Sequence, residues 1–66
     1  MELFSRTEKV KELHGEMVRA GAALDRAGYA AARDRRNAAI RELPADELAS
    51  LDFAALTREV IQRDTW

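Results

Sequence analysis

Residues 6–27 read RTEKVKELHGEMVRAGAALDRA, and the fold class turns on this stretch. Val10, Leu13, Met17, Ala20, Leu24 and Ala27 follow one another at spacings of three and four. That is the a/d pattern of an amphipathic helix, and no run of alternating apolar and polar residues competes with it. Just upstream, Ser5-Arg6-Thr7-Glu8 has the form of a capping box, a hydroxyl acceptor answered by a carboxylate one turn later. Glu16 and Arg19 are spaced to support the outer face as an ion pair. At 1.5 Å per residue the stretch would make a helix about 33 Å long.

Downstream the register changes at Gly28. A second stripe uses Tyr29, Ala32, Ala39, Ile40 and Leu43. Gly28 follows a turn containing Arg26, which suits a C-cap; a helix passing through Gly28 with a kink is the competing reading. Pro44 disfavours helical geometry at Leu43 and suits the start of another helix, where Asp46 and Glu47 complement the macrodipole. Leu48 and Leu51 form one short stripe, and Phe53, Leu56 and Val60 another, with Asp52 placed to cap the second. The expected helices are 5–27, 29–43 and 45–63, the last starting as a short turn before a main helix at about 53–63.

Composition agrees. Thirteen residues are Ala, nine Arg and seven Leu, against three Gly and one Pro. These are strong helix formers, so the fold class is all-α, a helical hairpin or small three-helix bundle in a single domain over 1–66. Only 18 side chains are large and apolar. That is a thin core for 66 residues, so completion by oligomerisation is expected. Two copies pairing their first helices would bury Val10, Leu13, Met17 and Leu24, with Gly21 admitting close approach.

Several function classes lose their material. There is no cysteine to form a disulfide, hold zinc or act as a nucleophile. His14 is the only histidine; at the edge of the apolar stripe, it reads as a boundary residue that packs its ring and leaves one nitrogen wet. Gly15, Gly21 and Gly28 lie inside helical patterns and make no phosphate loop. The carboxylates are dispersed. No enzyme activity, metal, cofactor or small-molecule substrate is expected. No apolar run approaches the roughly 20 residues of a membrane span, and MELFSRTEKV lacks an apolar signal core, so a cytoplasmic protein is expected.

Charge is uneven. Residues 1–43 carry nine bases and seven acids, net +2; residues 44–66 carry two bases and five acids, net −3. Arg33, Arg35, Arg36 and Arg41 form the one basic concentration, and Arg36 is the most informative of them. At 100° per residue it falls between Ile40 and Leu43, in the middle of the second stripe. A guanidinium there must snorkel to solvent, pair with an acid of the third helix, or anchor a partner's carboxylate or phosphate.

Two families share features with this chain. Ala23-Leu24-Asp25-Arg26-Ala27-Gly28-Tyr29, followed by Arg36 and Ile40-Arg41-Glu42-Leu43, resembles the helical hairpins of flagellar export chaperones of the FliT type. That resemblance implies binding to a helical export substrate or regulator. Residues 32–43, continued by Leu56-Thr57-Arg58-Glu59-Val60 and Arg63-Asp64-Thr65, are similar to the helices around the helix-turn-helix of small bacterial and phage regulators. That resemblance implies DNA binding, with a turn near Ile61-Gln62. The acidic C-terminal part opposes a phosphate footprint. The reading that follows is a small regulatory or adaptor module that binds another protein or itself, with Arg36, Arg33, Tyr29 and Ile40 as candidate partner-binding residues. A DNA-binding regulator and an export chaperone are the alternatives.

Overall fold

The computed structural model describes residues 6–64, apart from the side chain of residue 64. The capping box at Ser5 and the terminal Thr65 and Trp66 lie outside the described residues. Four helices account for most of what is described: α1 (Arg6–Ala22), α2 (Arg26–Arg41), α3 (Ala45–Ala49) and α4 (Phe53–Asp64). The fold is all-α, with no strand among the described residues. α1 is the central element, paired with α2 through a short turn and also packed by α4.

The break between α1 and α2 comes earlier than the heptad pattern predicts. It falls at residues 23–25, and Gly28 is inside α2 as neither a C-cap nor a kink. The reason is a pair of local caps. Asp25 adopts extended geometry and its Oδ1 accepts from the Gly28 N–H at 3.0 Å, starting α2. Leu24 has φ 58°, and the turn is closed by Leu24 N–H to Gly21 C=O (3.1 Å) and Asp25 N–H to Ala20 C=O (2.9 Å). This is the Schellman arrangement, with leucine in the left-handed position that glycine usually takes. Gly28 lies directly under the cap: a Cβ there would overlap the Asp25 carboxylate and sit 2.8 Å from its Cγ.

The later boundaries follow the sequence reading closely. α2 ends before Leu43-Pro44, its last turn tightened by Glu42 N–H to Ala39 C=O and Leu43 N–H to Ile40 C=O. Asp46 and Glu47 stand in the first turn of α3. Asp52 caps α4 through its Oδ1, which accepts from Ala55 N–H at 3.1 Å.

The core is built on Val10, Ala39 and Leu43, against which Leu13, Ile40, Leu48, Leu51 and Phe53 pack. A second buried layer holds Met17 and Ala32. The buried stripe of α1 thus runs Val10, His14, Met17, and that of α2 runs Ala32, Ala39, Leu43 with Arg36 between. Small alanines on α2 let the two helices approach, and a polar pair, His14 with Arg36, lies between two apolar layers. Gly15 serves the other contact, facing Val60 of α4, whose Cγ2 would be 3.5 Å from a Cβ at that position.

Candidate functional site

Two features depart from a plain apolar bundle: a polar cluster between the helices and an exposed groove at the α1–α2 turn.

The cluster joins three helices through one imidazole. His14 on α1 is only 3% exposed. Its Nε2 is 2.8 Å from Thr57 Oγ1 on α4, and its Nδ1 is 3.0 Å from Nη1 of Arg36 on α2. The protons can be placed by elimination. The Thr57 hydroxyl donates to the Phe53 carbonyl at 2.8 Å, so it accepts from His14, and Nε2 carries the proton. Nδ1 is then free to accept from Arg36, which has only donors. Both nitrogens are satisfied by one neutral tautomer. Arg36 also donates from Nε and Nη2 to Asn37 Oδ1, at 3.3 and 3.0 Å, and its guanidinium lies 5.4 Å above the Phe53 ring. His14 and Phe53 rings meet at 5.2 Å.

This environment pushes the His14 pKa below the usual 6.5. Burial is the larger cause and the positive charge of Arg36 the second; the Phe53 backbone opposes them. A protonated Nδ1 would point N–H against N–H at Arg36. The arrangement is also the reverse of a base–nucleophile pair, since Nε2 donates to the threonine and cannot take its proton. The cluster clamps α1, α2 and α4 together.

Two expectations are corrected here. His14 does not keep a wet nitrogen, because α2 and α4 cover both sides of its ring. Arg36 does not pair with an acid of the C-terminal helices; among the described residues its acceptors are a neutral imidazole and a neutral amide. Asn37 and Thr57 complete this cluster without a role assigned to them from the sequence, and Phe53 reads there only as part of an apolar stripe. The signal available was the Phe53/Thr57 spacing, which puts both on one face of α4.

The candidate residues divide between inside and outside. Val10 and Met17 are buried within the chain, and Leu13 and Ile40 pack half-buried against the core. α1's stripe is therefore covered by α2 and α4, and Val10 and Met17 are not available to a second copy. The others come together. Gly21, Leu24, Tyr29 and Arg33 line one groove of about 410 Å³ with Asp25, Arg26 and Ala30. Leu24 is 89% exposed and Tyr29 38%. The Tyr29 ring lies across Gly21, 3.3 Å from where a Cβ would stand, so the glycine seats the ring. Arg33 is exposed and, among the described residues, its one ionic contact is with its neighbour Asp34 at 3.4 Å.

At the other end of the chain, α4 runs without interruption through Ile61 and Gln62, where a helix-turn-helix would place its turn. Among the described residues no group of acids and histidine could hold a metal ion, and no helix is long and apolar enough to cross a membrane. No family model, curated protein or solved structure matches the chain.

Proposed function

We propose that this chain is a small, non-enzymatic cytoplasmic adaptor or regulatory module that binds another protein through the groove at the α1–α2 turn. The polar cluster holds the helices and the turn carries the recognition. One observation supports this above the rest: among the described residues Leu24 is the most exposed large apolar one, and it sits in left-handed geometry. A non-glycine residue there costs about 1–2 kcal/mol, and leucine's side chain repays none of it by packing inside the chain. Strain of this kind concentrates where a side chain serves recognition.

Leu24→Gly tests the reading. It relieves the backbone and removes the side chain, so stability should rise by about 1 kcal/mol, roughly 4–8 °C in Tm for a domain of this size. Affinity capture from the source cell should at the same time lose a protein that the wild-type chain retains. A variant that keeps every captured protein would overturn the proposal.

A further inference from the structure

We infer that the groove is shaped for an acidic segment of a partner protein, one that places an aliphatic side chain between Leu24 and Tyr29 and a carboxylate beside it. This rests on the reading of the groove as an interaction surface and adds the chemistry of the occupant.

The charge around the groove carries the inference. Arg26 and Arg33 line it, flanking Tyr29 along α2 at spacings of three and four, so all three lie on one side of the helix. Arg26 stands at the first residue of α2, where the helix macrodipole adds positive potential. The one acid of the lining, Asp25, is turned onto α2's own first turn, where its Oδ1 accepts from Gly28. Its charge is thereby partly offset by the helix end it caps, leaving two arginines against one acid in the lining. Among the described residues Arg33 is held only by the weak exposed contact with Asp34. Leu24, Ala30 and Tyr29 thus give the groove an apolar lining shared with two arginines, Arg26 and Arg33. A guanidinium binds a carboxylate through two parallel N–H donors, which fixes the orientation of the segment as well as its charge.

A basic partner would be repelled by both arginines. A purely apolar partner would partly desolvate both arginines and bring neither an acceptor, which is costly. An amphipathic helix with Leu and Glu one turn apart meets both requirements.

The experiment uses the intact chain, labelled with 15N, and two short amphipathic peptides. Both carry leucines on one face; one flanks them with glutamates, the other with lysines. The glutamate peptide should shift the amide signals of residues 21–33 and weaken as salt is raised. The lysine peptide should bind at least about fivefold more weakly, the size expected of two exposed ion pairs. Exchanging both arginines, Arg26→Glu with Arg33→Glu, should reverse the preference, and circular dichroism checks that the variant stays helical. Equal binding of the two peptides, abolished by Leu24→Gly, would overturn the acidic partner and leave the interaction surface standing. Absence of any shift with either peptide would also overturn the acidic partner; the capture experiment with Leu24→Gly then judges the surface separately. A self-association of the chain that Leu24→Gly dissolves would assign the groove to a second copy and overturn the inference. Preferential shifts of the same residues by duplex DNA would assign it to phosphate instead.

Discussion

Arg36→Met should weaken the fold and flatten its response to pH. The substitution keeps an unbranched stem and removes the guanidinium. Lost with it are the donor to His14 Nδ1 at 3.0 Å, both donors to Asn37 and the cation above Phe53. Asn37 is half-buried and can turn to solvent, but His14 is enclosed, so its Nδ1 acceptor is left unpaired. A buried unpaired group costs about 1–3 kcal/mol, and the lost cation–π contact about 0.5–1 kcal/mol. Apolar contacts of methionine within the stripe offset part of this. The expected net loss is about 1–3 kcal/mol, at roughly 4–8 °C in Tm per kcal/mol. Arg35→Met removes the same charge from an exposed position and should stay within about 0.5 kcal/mol of wild type. The pH dependence is a second readout. In the folded chain burial and then Arg36 hold His14 below 6.5, while the unfolded chain titrates near that value. Above 6.5 neither state binds the proton and the His14 contribution is complete. As pH falls from 6.5 towards the folded pKa, the unfolded state takes up a proton that the folded state refuses, and stability declines. One such group sets a slope no steeper than about 1.4 kcal/mol per pH unit. Arg36→Met removes the smaller cause and keeps the larger, so its decline should be shallower. Urea denaturation read by circular dichroism between about pH 8 and 5.5 measures both effects, a range centred on histidine's own titration. His14 is the only histidine, so one imidazole signal reports its pKa directly. If Arg36→Met matched wild type in stability at the upper pH and left the imidazole pKa unchanged, the cluster would not be holding the helices together.

Other outcomes follow from the same contacts. Thr57→Val leaves the His14 Nε2–H without its acceptor and should cost about 1–3 kcal/mol in urea melts, whereas Thr57→Ser, which keeps the hydroxyl, should recover most of the loss. Asp52→Ala removes the cap of α4 and Asp25→Ala the cap of α2; each should cost about 1 kcal/mol and lower helicity by circular dichroism.

Much of the architecture was legible because it is written in local signals. Pro44 stops a helix by its ring, Asp52 caps one by its carboxylate, and the position of Arg36 within an apolar stripe follows from helical spacing alone. What was not legible depended on a second element. A helical wheel sets His14 at the margin of α1 because imidazole is weakly apolar. Only Arg36 and Thr57, from two other helices, make it a satisfied interior group, and no spacing within α1 encodes them. The turn failed for a different reason. The Asp25 cap was present in the sequence, but Leu24 and Ala27 continued the heptad across it, and leucine is the wrong residue for a left-handed C-terminal position. Both misreadings fall where a residue breaks the local rule. The polar pair breaks it inside the bundle, and the chain itself supplies every hydrogen bond that makes the breach tolerable. Leu24 breaks it outside: two hydrogen bonds close the turn around its backbone, but its side chain, at 89% exposure, adds almost no packing. At this turn a broken local rule meets solvent, and that is why we propose recognition there rather than at the more elaborate polar cluster.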